Sequence, residues 1–242
     1  MIERAFNIAK RLKENYSAAK QFAIAQAWET LEAAGVLDPR LETERVDLRQ
    51  QTYDLLGRLR KPSSDEKEAL EERDIKFFSV TSISYAQVVA ENPEYFRDKE
   101  LENANATPEL RDYALPVAVE VGLRRPEKLH LAGSFGKSRE TQLQMAEDYS
   151  QELQKQFPNI PNIRAIILPS TGYAQVDKAC KAETGEVLIR NFYARALDNS
   201  SVPFAACVGR GRPEDRLEVV PFGANDGLSL IAAVPAIVFL RK

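Results

Sequence analysis

The stretch KLHLAGSFGKSRETQLQMAEDYSQELQKQF, residues 128–157, decides the predicted fold. Its apolar start, residues 128–133, is typical of a strand, and residues 137–157 have the composition of a long helix. A second apolar segment, IRAIILPS at 163–170, follows that helix. A strand, a long helix and another strand form a βαβ unit, whose strands are parallel and whose crossover is almost always right-handed. We therefore predict that the strands at 128–133 and 163–170 are parallel neighbours.

Apolar and helical segments also alternate around this unit, from residue 75 onward. Aromatic and β-branched segments that are bounded by Gly, Pro or Ser indicate strands. The other predicted strands are 75–84, 116–122, a hairpin over 202–223 and a last strand over 231–240. The pattern predicts an α/β domain over residues 75–242, with a partly parallel sheet and flanking helices.

Residues 1–74 have a different composition and are predicted to be helical. They hold two of the 11 glycines and two of the 13 prolines, and their apolar residues recur at three- and four-residue steps. One helix, predicted to end near residue 61, carries four leucines on one face: Leu41, Leu48, Leu55 and Leu59. Because this stripe is narrow, we expect it to pack on residues 1–35 or on another copy of the chain. A homo-oligomer through the N-terminal helices is therefore one partner that the sequence allows.

Composition and charge exclude several classes of protein. The 242 residues are 44% hydrophobic and 29% charged, with a mean hydropathy of -0.37, and these values are ordinary for a globular protein. The sequence contains no uncharged apolar run long enough to span a membrane, and the charged N-terminal segment lacks the apolar centre of a secretory signal. The net charge of -3 is spread evenly. We therefore predict a cytoplasmic protein whose partners include neither membranes nor nucleic acid.

The metal-ligating residue types are scarce. The two cysteines, Cys180 and Cys207, lack a C-x-x-C spacing, so both are interpreted as buried thiols. His130 is the only histidine in the sequence. This set disfavours a transition-metal site, whereas an oxygen-ligated Mg²⁺ stays open. The sequence names no cofactor.

The segment GSFGKS, residues 133–138, is the first candidate for a ligand site. It ends like a phosphate-binding Walker A loop, but Leu131 stands where that loop requires its first glycine. Two interpretations stay open. Gly133 and Gly136 form a turn and Ser138 caps the next helix, or the free amides of that helix start hold an anion together with Lys137.

The segment PSTGY, residues 169–173, is the second candidate. If the preceding strands are parallel neighbours, both loops leave the same edge of the sheet, where ligands bind in open α/β folds. Helix capping is the alternative role for its hydroxyls. The predicted ligand-binding residues, for a phosphorylated or other anionic small molecule, are Ser134, Gly136, Lys137, Ser138, Ser170, Thr171 and Gly172.

Two classes of function follow from these patterns. The first is a small-ligand-binding α/β protein; whether it is an enzyme stays open, because the sequence contains no G-x-S-x-G and no cysteine with a matched histidine. The second is a non-enzymatic assembly or interaction protein. The order of a helix, the strand ending in Leu168 and Pro169, a hairpin and a last strand resembles the C-terminal half of some tailed-phage shell subunits. That resemblance rests on the pattern alone and implies a self-associating structural subunit.

The segment GRGRPEDR, residues 209–216, carries three arginines among acidic residues. Arginine side chains suit phosphate, but mixed charge at the tip of a hairpin is typical of a solvated turn or an interface. We therefore predict that Arg210, Arg212 and Arg216 are exposed.

Overall fold

The computed structural model describes residues 47–201, 204–212, 215–223 and 228–241. The helices predicted before residue 47, and with them Leu41 and the predicted homo-oligomer contact, lie outside the described residues. Leu48 and Leu55 are half-buried against the core of the described unit, and Leu59 is buried in it. The predicted domain boundary near residue 74 stays a prediction.

Seven α-helices lie in the described ranges. They are α1 (Asp47–Leu56), α2 (Ser64–Glu71), α3 (Tyr85–Glu91), α4 (Glu100–Asn103), α5 (Pro108–Asp112), α6 (Arg139–Gln156) and α7 (Ser170–Thr184). Short 3-10 turns lie at Pro93–Tyr95 and Pro126–Lys128. The helix predicted to reach residue 61 ends at Leu56, because a turn at residues 57–58 leads into a short strand.

The helix starts follow the general rules of N-capping. Ser63 and Glu66 form a reciprocal capping box at the start of α2. Thr107 caps α5, whose first residue is Pro108. Ser138 caps α6 by accepting a hydrogen bond from the backbone N–H of Thr141. The cap predicted at Ser138 is thus confirmed, and it could be predicted because a cap depends on residues only three positions apart.

Nine strands form two sheets in the described part of the chain. They are β1 (Leu59–Arg60), β2 (Ile75–Val80), β3 (Val119–Arg124), β4 (Ile163–Ile167), β5 (Phe192–Ser201), β6 (Phe204–Arg210), β7 (Glu218–Gly223), β8 (Ile231–Ala232) and β9 (Pro235–Leu240). In the first sheet the order is β1-β9-β3-β2, β4 also pairs with β9, and every pairing is antiparallel. In the second sheet the order is β7-β6-β5-β8, and only the short β5–β8 pairing is parallel.

The protein is therefore mixed α/β, but the parallel pairing predicted for 128–133 and 163–170 is wrong. Residues 129–138 form no strand and follow the 3-10 turn at Pro126–Lys128. Leu129 and Leu131 are nevertheless buried, and the backbone N–H of Leu131 donates to the carbonyl of Ala233 at 2.9 Å. Their apolar character thus reflects a buried loop. The strand at 163–167 pairs antiparallel with β9 instead.

The core forms where the helices cover the sheets. Every residue of β9 is buried, which is typical of a central strand that is covered on both faces. Helix α6 packs on β4, and its buried Ser150 exchanges two hydrogen bonds with Ala165 of that strand, at 2.8 and 3.0 Å. Helix α7 buries Tyr173, whose hydroxyl donates to the carbonyl of Val234 at 2.5 Å. These contacts fix α6 relative to β4, and α7 relative to the residue that precedes β9.

Candidate functional site

The first predicted loop, residues 133–138, is a turn followed by a capped helix. Gly133 and Gly136 have positive φ angles of 74° and 69°, which glycine adopts without strain. Ser134 is buried, and its Oγ accepts a hydrogen bond from the backbone N–H of Ala233 at 3.1 Å. Ser138 caps α6, while the side chain of Lys137 is exposed. Of the predicted site residues in this loop, Ser134 and Ser138 already have structural partners.

The second predicted loop is buried. The backbone N–H and Oγ of Ser170 both donate to Oδ1 of Asp198, at 2.7 and 3.1 Å. Thr171 Oγ1 donates to the carbonyl of Ile83 at 2.8 Å. A Cβ on Gly172 would lie 3.2 Å from a side-chain atom of Leu168. The predicted hydroxyls of this loop therefore face the protein interior, and a carboxylate of the chain occupies the start of α7.

The shared crevice between the two loops does not form as predicted, because its parallel strands are absent. A different element connects the two helix starts. Arg139, the first residue of α6, donates to Oδ1 of Asn199 at 2.6 Å, and Ser170, the first residue of α7, donates to Asp198. Both helices are thus anchored on consecutive residues of β5, next to an irregularity in its pairing with β6. The ligand-binding role of the predicted residues stays a prediction.

A polar cluster surrounds this anchor and holds α1 and α5 against β5. Arg49 forms an ion pair with Glu109, and Tyr53 donates to the same carboxylate at 2.7 Å. The Arg49 Nε donates to the carbonyl of Leu197 at 2.7 Å. Burial lowers the pKa of Arg139 to about 10, and the positive charges of Arg49 and other neighbours add to that shift. The contacts within this cluster hold the fold together.

The predicted exposure of the three hairpin arginines is wrong for Arg210. Its guanidinium is 2.6 Å from Oδ2 of Asp177, and both side chains are buried. Asp177 also accepts hydrogen bonds from the backbone N–H groups of Leu188 and Ile189, each at 2.9 Å. Arg212 and Arg216 are exposed, as expected. The acidic partner of Arg210 lies on α7, far away in sequence, so the local pattern gave no sign of it.

An open groove of about 600 Å³ lies between α6 and the neighbouring ends of β2 and β3. Two walls face each other across it. The groove is lined by Arg73, Asp74, Ile75, Arg124, Arg125, Lys128, Leu131, Ala132, Met145, Asp148, Tyr149, Glu152, Leu153, Gln156 and Phe157. A second, much smaller cavity of about 30 Å³ lies between α1, α6 and β4.

One wall of the groove is basic. Arg125 is paired with Asp74 at 2.5 Å. Arg73, Arg124 and Lys128 have no carboxylate within ion-pair distance among the residues that the structure describes. The guanidinium carbon of Arg124 lies 5.8 Å from the centre of the Tyr149 ring, a cation–π distance. This wall therefore presents three cations without an ion-pair partner among the described residues, while Asp148 and Glu152 lie on the opposite wall.

The opposite wall is formed by the second half of α6 and is amphipathic. Met145, Tyr149 and Leu153 supply apolar and aromatic surface, and Asp148 and Glu152 lie one helical turn apart beside them. Burial raises the pKa of Tyr149, and the charge of Arg124 opposes that shift. A ligand in the groove would therefore meet a flat aromatic surface next to positive charge.

The acidic and sulfur-containing side chains of the described residues form neither a metal site nor an exposed thiol. Within the described ranges, no group of three or more His, Cys, Asp or Glu side chains could hold a metal ion. Both cysteines are buried, as predicted, and burial raises their pKa values, to about 12 for Cys207. Neither thiol therefore lies ready to act as a thiolate nucleophile.

The comparisons with known proteins give no family for this chain. No protein-family model matches it, and no similar protein was found among curated sequences or solved structures. No helix in the part of the chain that the structure describes is long and apolar enough to cross a membrane.

Proposed function

We propose that the chain is a small-ligand-binding protein whose site is the groove beside α6, and that the ligand is a small organic anion with a flat or apolar body. The observation that carries this proposal is the juxtaposition of Arg124, Arg73 and Lys128 with the apolar wall around Tyr149. None of these three cations is paired with a carboxylate of the residues that the structure describes. Binding sites for small molecules are typically concave and largely apolar, with a few charged groups that orient the ligand. Arginine suits phosphate and carboxylate groups because its planar donors match both.

The proposal moves the predicted anion site away from the two loops. At 170–172 the chain's own Asp198 takes the place that an anion would need. At 134–138 Lys137 is the one cationic side chain, and it has no ion-pair partner among the described residues. The groove offers several cations and enough volume for an organic molecule, and for this reason the same ligand class is assigned to it.

Calorimetric titration of the whole chain with three matched probes tests the proposal. Phenyl phosphate carries both an anion and a ring, inorganic phosphate carries only the anion, and phenol carries only the ring. We expect phenyl phosphate to bind more tightly than either. Arg124→Gln should weaken its binding about ten- to a hundredfold, since one charge-assisted contact contributes about 1.5–3 kcal/mol.

Lys137→Ala is the matched control, because it removes one cation from the predicted loop and none from the groove. It should leave the affinity for phenyl phosphate unchanged. A loss of affinity in Lys137→Ala with no loss in Arg124→Gln would show that phenyl phosphate binds at residues 134–138 and not in the groove. Absence of binding by all three probes would contradict the proposal.

The alternative is a self-associating structural subunit, and one observation favours it. Leu228 and Leu230 are the large hydrophobic side chains that are exposed among the described residues, at 43% and 56%. They directly precede β8, an edge strand of the second sheet. Light scattering of the purified chain tests this alternative: a mass above the monomer that returns to the monomer in Leu228→Ser/Leu230→Ser would support it.

A further inference from the structure

A carboxyl group outside the groove is buried without a full set of partners. Glu100 is 2% exposed. Its Oε1 accepts hydrogen bonds from the backbone N–H of Val219 at 2.5 Å and from the Tyr85 hydroxyl at 3.1 Å. Its Oε2 is buried and has no hydrogen-bond partner among the residues that the structure describes. A buried carboxylate with an unsatisfied oxygen is costly, and the neutral carboxyl group costs much less.

The helix that carries Glu100 is bracketed by two strained positions. Lys99 and Asn105 both have left-handed φ angles, 56° and 47°, which non-glycine residues seldom adopt. Such strain persists only where the surrounding contacts hold the backbone in place. The four-residue α4 lies between these positions, and the carboxyl of Glu100 joins it to β7 through Val219. The contact at Glu100 is therefore placed to hold a segment that would otherwise relax.

The charged and titratable groups around Glu100 come from several elements. Tyr85 approaches from α3, and Glu218 from β7. Arg97 precedes α4 and pairs with Glu218 at 2.5 Å, and Tyr193 of β5 donates to Glu218 at 2.6 Å. Glu218 disfavours a negative charge on Glu100, while Arg97 favours it. Arg97 is largely engaged by Glu218, so it supplies Glu100 with only partial compensation.

We propose that α4 is a pH-sensitive clasp: it is held on β7 while the Glu100 carboxyl is neutral, and it opens when that group ionises. Burial, the largest cause, raises the pKa of Glu100 to about 7, and the hydrogen bonds from Val219 and Tyr85 oppose this shift only in part. The group therefore titrates close to neutral pH. In the open segment the carboxylate reaches water, and Lys99 and Asn105 are free to leave their left-handed conformations.

Hydrogen exchange followed by mass spectrometry tests the clasp on the whole chain. The wild type and Glu100→Gln are compared at the same pH, so that the effect of pH on the intrinsic exchange rate of the amides cancels. Between about pH 6 and about pH 8.5, the equilibrium constant for opening of residues 98–105 should rise roughly tenfold more in the wild type than in Glu100→Gln. This factor follows from a Glu100 pKa near 7 in the closed segment and near 4.5 in the open one. Glu102→Gln is the matched control, because Glu102 lies on the same helix with an exposed side chain; it should behave as the wild type.

A second measurement uses only the wild type, so it does not require that any variant folds. In a carbon-13 NMR titration of the wild type, the Glu100 carboxyl carbon should titrate near pH 7, together with the amide of Val219. An ordinary titration near pH 4.5, or equal pH dependence of exchange in the wild type and Glu100→Gln, would overturn the proposal.

Discussion

Oδ1 of Asp198 accepts two hydrogen bonds from Ser170, one from its backbone N–H at 2.7 Å and one from its Oγ at 3.1 Å. The carboxylate therefore lies at the start of α7, where helix amides and the helix dipole favour a negative group. Pro169, which precedes the helix, offers no side-chain cap, and Asp198 supplies the acceptor from another element. Burial nevertheless raises the pKa of Asp198 to about 6, against the effect of the bonds from Ser170.

Two substitutions of Asp198 separate the contribution of its hydrogen-bond acceptor from the contribution of its negative charge. Asp198→Ala leaves the N–H and hydroxyl of Ser170 buried without their acceptor, so we expect a loss of about 2–3 kcal/mol in the free energy of unfolding. Asp198→Asn retains a side-chain oxygen and should cost clearly less. Urea denaturation monitored by circular dichroism measures both. Equal losses in the two variants would show that the cap is not what Asp198 contributes.

Stability should fall as the pH rises from 5 to 8. The pKa values of Asp198 and Glu100 are raised to about 6 and about 7 in the folded state. A raised pKa contributes stability that is present at low pH and is lost as the pH rises through the folded-state value. We expect the free energy of unfolding to drop by roughly 2–4 kcal/mol over this range. The lowered pKa of Glu66 acts in the opposite direction, but mainly below this window.

Urea denaturation at several pH values checks this expectation. The double variant Asp198→Asn/Glu100→Gln should show a much flatter profile than the wild type, although it is less stable at low pH. Stability that increases from pH 5 to 8 in the wild type would contradict the assigned directions of both pKa shifts.

The buried pair of Arg210 and Asp177 should be sensitive to the loss of one partner. Arg210→Met leaves Asp177 buried and without its counter-charge, so we expect a loss of about 3–5 kcal/mol in the free energy of unfolding. The matched control is Arg216→Met, which breaks the exposed pair with Asp98 and should cost at most about 1 kcal/mol. Similar losses in these two variants, measured by urea denaturation, would argue against a buried ion pair.

Two substitutions in the turn at residues 133–138 should differ in their effect on stability. Ser138→Ala removes the cap of α6 and should cost about 1 kcal/mol of stability. Lys137→Ala should barely change stability, because the side chain is exposed and a cation near a helix start is slightly unfavourable. Thermal unfolding of both variants tests the contrast. A large destabilisation in Lys137→Ala would contradict the exposed position of this side chain.

The parts of the fold that depend on local sequence could be predicted. The helix start at Ser138, the capping box of α2 and the hairpin of β6 and β7 follow from residues close together in the chain. Pairing between strands distant in sequence could not be predicted, because Leu129 and Leu131 are as compatible with a buried loop as with a strand. The sequence of β5 is not typical of a buried strand, because Arg195 and Asp198 are polar residues that are buried within it.

The candidate site was not predictable for a related reason. The basic residues of the groove come from separate segments, among them Arg73 before β2, Arg124 at the end of β3 and Lys128 in the following turn. Only the antiparallel pairing of β2 and β3 brings the first two segments together, with Ile75 opposite Arg124. The predicted loops attracted attention because their glycines and hydroxyls are adjacent in sequence, whereas the structure uses most of those hydroxyls for capping and packing.

The most direct test of the groove is a map of the backbone amides that respond to phenyl phosphate. In nitrogen-15 NMR spectra of the whole chain, we expect concentration-dependent shifts at residues 124–132 and 145–157, with loss of those shifts in Arg124→Gln. Shifts confined to residues 134–138 and 170–172, or no shifts at either location, would contradict the assignment of the groove as the binding site.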